Sequence, residues 1–380
     1  MEEKKGKESG NNKINEILRI DGSMFSGGGQ MLRTALALSI MTQKPFEMFN
    51  IRAKRPNPGL KKQHLYCIKG LLRLSRSKAE NVFLGSDRIR FFPGKFKGGS
   101  LRLDVETAGS ITLVLQALML PMVFLARTRV RIVGGTDVKW SPTIDYFNHV
   151  LCYYFRFFAD INVSVVKRGY YPKGGGVVEV LTKPRVRVEE AMPIDLVRTN
   201  ETRLSDITVL GVSHASKDLM KRRVAERQAI SAESHILKNL GVKPRIRVEY
   251  SNSESTGSGI CLWASVPSDQ NQSKNQGFDI VLGSDALGEK GVSAESVGRS
   301  VASKLVDELN SFGMNNHFIR ELGVDSLLAD QLVPLIGLVG GALRTSRITD
   351  HVISNVHITN LFLNNALEIR GNIIINKKKH

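Results

Sequence analysis

Three groups of residues in this 380-residue chain combine types and spacings suited to chemistry. In "GSMFSGGGQMLRTALALSI", Gly22 to Ile40, the glycines Gly27, Gly28 and Gly29 stand directly before Gln30 and a run whose Met31, Ala35 and Leu38 recur at helical spacing. Glycine admits positive φ and lets a ligand approach the main chain, and the unpaired N–H groups of a helix start attract anions, phosphate first among them. The same pattern also serves as a tight strand-to-helix turn without any ligand. Histidine forms the second group: His64, His149, His214, His235, His317, His351, His357 and His380. Imidazole is largely unprotonated and nucleophilic near neutral pH, but an isolated histidine is more often structural, and spacing alone does not choose among the eight. The third group is Asp330 with Gln331 in "LLADQL", at the start of an apolar helix, where a carboxylate could orient an imidazole, hold a metal or cap the helix. Leu327 and Leu328 beside it read as core, and Gln116 in "LVLQ" as a polar interruption on a helix. Cys67, Cys152 and Cys261 are odd in number and far apart, which suggests neither a disulfide framework nor a CxxC metal site.

The elements that must position these groups repeat. A polar or Gly-rich turn followed by an apolar helix occurs four times, in "GSMFSGGGQMLRTALALSIMT", "ETAGSITLVLQALMLPMVFLA", "GVSAESVGRSVASKLVDELNS" and "GVDSLLADQLVPLIGLVGG". Short β-branched or aromatic runs such as "FEMFNIRA", "DRIRFFP", "SLRLDVE", "RVRIVGG" and "VVEVLT" lie between them. This alternation predicts an α+β architecture of repeated units, each laying helices on one face of a small sheet. Composition changes near residue 185, where "ITVLGVSHAS", "LMKRRVAERQAISAESHILKNL", "RIRVEYS" and "GICLWASV" carry their own strand and helix signals before the polar run "PSDQNQSKNQG". The expected organisation is a charged tail over 1–16, a main domain over 17–184 and 286–375, and a smaller inserted α/β domain over 185–285. The polar run reads as an exposed loop.

A content of 42% hydrophobic and 24% charged residues fits a globular protein and excludes a disordered one. The excess of 54 Lys and Arg over 36 Asp and Glu, a formal charge of +18, favours a polyanionic partner such as nucleic acid. The longest apolar stretch, "ITLVLQALMLPMVFLA", is too short for a comfortable membrane span and contains Gln116 and Pro121. With no secretion-signal pattern, the expectation is a protein of the cytoplasm, or of the nucleus in a eukaryote, without a membrane partner.

Several stretches together resemble the RNA 3'-terminal phosphate cyclases over nearly the whole chain apart from the tails. "RGYYPKGGGVVEV", Arg168 to Val180, looks like the family signature of a basic residue, Gly, two variable positions, Pro, one more residue and three glycines. "IRAKRPNPGLKKQHL", "TAGSITLVLQ", "GGTDVKWSP", "VSAE" and "LLADQL" are similar to other family segments in the same order. The resemblance implies repeated βαβαββ units related to those of the enolpyruvyl transferases. It also implies a ligase-class reaction in RNA processing: a histidine attacks ATP to form a covalent adenylate, AMP passes to an RNA 3'-phosphate, and the neighbouring 2'-hydroxyl displaces AMP to leave a 2',3'-cyclic phosphate. ATP, a divalent metal (Mg²⁺ or Mn²⁺) and RNA with a 3'-phosphate end are the implied cofactors and partner.

By the same likeness His351, in "TDHVISNVHITN" ahead of Ser354 and Asn355, falls where the family carries its adenylated histidine, with His357 the nearest competitor. Gln116 and the segment Leu327, Leu328, Ala329, Asp330 and Gln331 match ATP-binding positions, the leucines through apolar and backbone contact with adenine. Arg33, Arg52, Arg55, Gln63 and His64 match a phosphate- and RNA-contacting group, which suits guanidinium forks that bind phosphate oxygens in pairs. Gly27, Gly28, Gly29 and Gln30 form the Gly-rich loop. Lys61 and Lys62 edge a stiff loop suited to RNA contact.

One departure concerns Ser26, where most members have a glutamate thought to help hold the metal; Phe25 likewise stands where a glycine is expected. A serine hydroxyl is a weak ligand for a hard cation, so Asp330, Asp21 or the phosphates themselves would have to hold it. That departure gives weight to a second reading, a catalytically inactive cyclase-like protein that binds RNA or scaffolds ribosome assembly, which His351 argues against. An enolpyruvyl transferase would rest on fold analogy alone.

Overall fold

A computed structural model describes residues 17–25, 27–267, 278–315 and 317–377, so the expected tail over 1–16, Ser26 and most of the polar run after Val266 lie outside the described residues. The first unit runs β1 (Leu18–Asp21), α1 (Gly29–Thr42), β2 (Phe46–Phe49), α2 (Lys62–Leu74), β3 (Lys78–Glu80) and β4 (Ile89–Phe92). Its sheet has the order β1-β2-β4-β3, with β1 parallel to β2 and both β2 and β3 antiparallel to β4. Alternation sets the face: in β4, Ile89 and Phe91 are buried while Arg90 points to solvent.

The second unit repeats this connectivity. It runs β5 (Gly99–Asp104), α3 (Ile111–Phe124), β6 (Thr128–Gly134), a second helical stretch, β7 (Ala159–Lys167) and β8 (Gly176–Pro184), in the order β5-β6-β8-β7. The helical stretch joins α4 (Ile144–Tyr146), a π-helical turn Phe147–Leu151 and α5 (Cys152–Phe155). Helix α3 is apolar all round, as a helix enclosed on every side must be, and Gln116 is its one residue that is not buried.

The third unit opens with β9 (Ile194–Leu196) and is then interrupted. The interruption contains β10 (Thr202–Arg203), β11 (Thr208–Ser216), α6 (Val224–Leu240), β12 (Arg245–Ser251), β13 (Ser258–Val266), β14 (Ile280–Leu287), α7 (Ala294–Asn310) and β15 (Phe318–Ile319). A sheet of order β12-β11-β13-β14 is backed by α6 and α7 around a second hydrophobic core, and β10 pairs with β15. The third unit then resumes with α8 (Ser326–Val339), β16 (Gly341–Arg344), α9 (Asp350–Leu363), β17 (Leu367–Arg370) and β18 (Ile373–Asn376). Its order, β17-β18-β16-β9 with β9 parallel to β16, matches the other two units. The fold class is therefore α+β as expected: three βαβαββ units sharing one large core, with a smaller α/β unit inserted.

The interruption does not follow the expected span of 185–285. Residues 194–196 belong to the third sheet by their pairing with β16, and α7 belongs to the insertion because Val297, Val301, Leu305 and Leu309 bury against Ala232, Ile236 and Leu240 of α6. The two helices touch at Gly298, where a Cβ would lie 2.1 Å from the Gln228 carbonyl oxygen. The Gly-turn-then-helix pattern of "GVSAESVGRS" is the same in either setting, so periodicity alone could not assign it.

A buried ionic cluster joins the insertion to the second unit. Arg168, first residue of "RGYYPKGGG", donates to Asp145 Oδ2 at 2.8 Å, to Asp137 Oδ2 at 3.3 Å and to Glu249 Oε2 of β12 at 2.9 Å. Tyr170 and His214 of β11 extend it through a 2.9 Å contact between the phenol oxygen and Nδ1.

Candidate active site

A cleft of about 1040 Å³ opens where helices of the three units converge. Its wall includes the start of α1 (Gly28, Gly29, Gln30 and Arg33), the segment leading into α2 (Arg52, Arg55, Gln63 and His64) and Gln116 of α3. Leu327, Asp330 and Gln331 of α8 and His351 of α9 complete it. Leu328 and Ala329, by contrast, are fully buried in the core between α8 and its neighbours. Consecutive helical positions turn by about 100°, so a helix that offers Leu327 and Asp330 to the cleft turns the two residues between them inward.

His351 stands in the first turn of α9. Thr349 caps that helix, its hydroxyl accepting the Val352 N–H at 3.2 Å, and this Thr-Asp-His start is a legible capping signal. The His351 side chain is 47% exposed, and its Nδ1 lies 3.3 Å from Oδ2 of the buried Asp330. With Nδ1–H directed at that carboxylate, Nε2 keeps its lone pair free. Burial raises Asp330 above the ordinary carboxylate value, while the neighbouring His351 and Arg33 pull it down. Asp330 does not cap α8: Asp325 does, accepting from Leu327 N and Leu328 N at 3.1 and 2.9 Å.

Four further hydrogen bonds fix the backbone under the imidazole. Gln30 Nε2 donates to the His351 carbonyl at 3.0 Å, and Ser354 Oγ donates to the same oxygen at 2.9 Å. Thr34 Oγ1 donates to Asn355 Oδ1 at 2.7 Å, and Asn355 Nδ2 donates to the Asp330 carbonyl. Thr34 was not singled out by the sequence; its place one turn after Gln30 on the cleft side of α1 is the only signal that would have found it. His357, six residues after His351, points elsewhere and packs on Phe25 with ring centroids 5.4 Å apart.

The anion-attracting features converge on the same space. Gly28 caps α1 with no side-chain hydrogen bond, and the first turn carries no acid, so the main-chain N–H groups there are open to a ligand. His64 accepts the Lys61 N–H at Nδ1 (2.9 Å), which puts the ring proton on Nε2, a buried donor with no partner among the described residues. Its ring occupies the position a side chain at 29 would need, because a Cβ on Gly29 would lie 2.0 Å from His64 Nε2. Burial, with Arg33, Arg52 and Lys61 nearby, pushes the His64 pKa down to about 3, so the ring is a neutral donor.

Half-buried Arg33 donates Nε–H to Gln116 Oε1 at 3.1 Å; Gln116 passes a bond to Gln331 Oε1 at 2.7 Å, and Gln331 one to the Leu327 carbonyl at 2.9 Å. This relay explains the one residue of α3 that is not buried. Arg52 sits at a left-handed φ of 59° with a buried, unpartnered Nε, and burial plus the charge of Arg55 lower its pKa. Among the described residues, no carboxylate forms an ion pair with Arg33, Arg52, Arg55 or Lys61, so cationic charge is left over for an anion.

Carboxylates lining the cleft are Asp330 and Asp285 among the described residues. Asp285 Oδ2 is taken by the Thr143 N–H at 2.7 Å, and Asp21 spends Oδ1 on Ser23 and Asn50. One oxygen of Asp330 remains. A hard divalent cation keeps several waters and substrate phosphate oxygens and needs only one or two carboxylates, so these residues fit a cation carried by a triphosphate and do not form a cage of their own.

The chain matches the family model described as RNA 3'-terminal phosphate cyclase over residues 24–369. It is 40% identical over 359 residues to the RNA 3'-terminal phosphate cyclase of Pyrococcus furiosus, covering 94% of this chain and 96% of that protein. The similarly named protein of Staphylothermus marinus is 41% identical over 367 residues, covering 94% and 95%, and that of Archaeoglobus fulgidus is 40% identical over 365 residues, covering 95% and 100%.

Proposed function

The chain belongs to the RNA 3'-terminal phosphate cyclase family, and from that premise we propose that it converts an RNA 3'-terminal phosphate to a 2',3'-cyclic phosphate at the expense of ATP. In the first step Nε2 of His351 attacks the α-phosphorus of ATP, an N–P bond forms, and the bond to the bridging oxygen breaks to release pyrophosphate. An oxygen of the RNA 3'-phosphate then takes the AMP from His351, and the adjacent 2'-hydroxyl attacks the 3'-phosphorus, loses its proton and expels AMP.

The carrying observation is that, among the described histidines, His351 alone offers an unprotonated Nε2 to the cleft while a buried carboxylate, Asp330, accepts from its Nδ1–H. Asp330 holds the reactive tautomer and stabilises the positive charge that builds on the ring during attack. The open start of α1, His64 Nε2–H, Arg33 and Arg52 offer donors to the triphosphate and to the RNA phosphate, which must approach each other against their own repulsion. Gln116 and Gln331 hold Arg33 in that role. Leu327 offers apolar contact to adenine; Leu328 and Ala329 support it from the core. Arg55, Gln63 and Lys61 extend the phosphate-contacting surface toward the RNA. A divalent cation, Mg²⁺ or Mn²⁺, would be held by the triphosphate with one oxygen of Asp330 and would supply charge neutralisation.

ATP labelled in its α-phosphate tests the reading. Label should stay on the wild-type protein after denaturation without acid, because a phosphoramidate is acid-labile, and should be absent from His351→Ala. Wild-type protein that retains no label, yet binds RNA, would favour the inactive scaffold to which Ser26 lends weight.

A further inference from the structure

The segment "GGTDVKWSP" is spent only in part on the chemistry above. It forms the connection between β6 and α4, and Trp140, Ser141 and Pro142 line the same cleft as His351. Trp140 is 95% exposed, the most exposed large apolar side chain among the described residues. Its φ is 64°, a left-handed value that a bulky L-residue adopts only at a conformational cost.

The connection around it is firmly held. Thr136 N–H bonds the Gly169 carbonyl at 2.9 Å, Ser141 Oγ donates to the Val138 carbonyl at 3.0 Å, and Thr112 Oγ1 donates to the Pro142 carbonyl at 2.8 Å. Lys139 Nζ meets Glu289 Oε2 of the insertion at 2.9 Å. A rigid support thus presents a strained, solvated indole at the lip of a cationic cleft. Among the described residues, no ring or cation contact is made by the Trp140 indole.

We propose that Trp140 is the stacking platform for a base at the 3' end of the RNA substrate, an assignment that rests on the proposed function. A flat aromatic face beside unpaired cations is the recurring apparatus for single-stranded nucleic acid, in which cations track phosphates and rings stack on bases of any identity. The lip favours the polymer over the mononucleotide. An adenine can be enclosed against the apolar interior of the cleft at Leu113, Met119 and Pro334, but an RNA strand has to leave across the rim, where exposed Arg55 also stands.

The test compares wild type, Trp140→Ala and Trp140→Phe on a short oligoribonucleotide with a 3'-phosphate and on the same strand with an abasic terminal nucleotide. Loss of one base stack predicts a KM for the intact strand raised about 5- to 150-fold in Trp140→Ala. The kcat should stay within about twofold, Trp140→Phe near wild type, and self-adenylation by ATP alone unchanged. On the abasic strand wild type and Trp140→Ala should become equal. An unchanged KM, an equal loss on both strands, or a raised KM for ATP in self-adenylation overturns the proposal, the last because it gives the ring to adenine.

Fluorescence separates this proposal from the proposed reaction. The chain has two tryptophans, and Trp263 is buried and stacked on His149 at 4.3 Å, so quenching by the oligonucleotide reads Trp140. Quenching by the intact strand and not by the abasic one supports the platform even in protein that forms no adenylate; no difference between the strands overturns it.

Discussion

A histidine becomes a nucleophile through what stands behind it. Asp330 is nearly sealed from solvent, with burial raising its pKa, and such a carboxylate is retained at a cost to stability where it serves another group. Asp330→Asn should therefore slow self-adenylation by about 10²- to 10⁴-fold, the range over which an orienting acid acts, while the thermal unfolding midpoint holds or rises. Single-turnover labelling beside a melting curve checks both parts. At this scale the sequence was legible where residue type and motif coincide: His351, Asp330, Gln116 and the arginines all reach one cleft. It was less legible where helical phase decides. Leu328 and Ala329 share a motif with Asp330 but face the core, and Thr34, not singled out in its stretch, bonds Asn355 one turn from His351.

At the scale of elements, the site is made of helix starts. The N-terminus of α1 meets the N-terminal turn of α2 so closely that the ring of His64 fills the space above Gly29. Gly29→Ala should displace that ring, costing about 1–3 kcal/mol as overpacking does and weakening ATP binding at least tenfold. Chemical denaturation and the ATP dependence of labelling measure the two effects. The α1, α3 and α8 helices were readable from their Gly-rich or polar starts and apolar runs. The ends of the insertion were not, because β9 is three residues long and α7 opens with the same signal as the helices of the main units.

For the whole molecule, the question is how a separate core is kept in register with the three units. Arg168 answers it by holding Asp137 and Asp145 of one unit and Glu249 of the insertion with a single buried guanidinium. Arg168→Ala leaves buried carboxylates without a counter-charge, and the expected destabilisation is about 3–5 kcal/mol, seen as a lowered unfolding midpoint. The sequence showed a turn-and-helix rhythm four times, once in what proves to be the insertion, and the βαβαββ units only through the family resemblance. The clamp was not visible in it, because its members lie on three separate stretches of the chain and only folding brings them together.

Gln30 and Thr34 of α1 bond His351 and Asn355 across a sequence separation of 321. On the proposed reading, the anion-receiving half of the site leaves the ribosome long before the imidazole that would react there. On that reading, a nascent polypeptide that still lacks α9 can present phosphate donors but has nothing to charge with AMP.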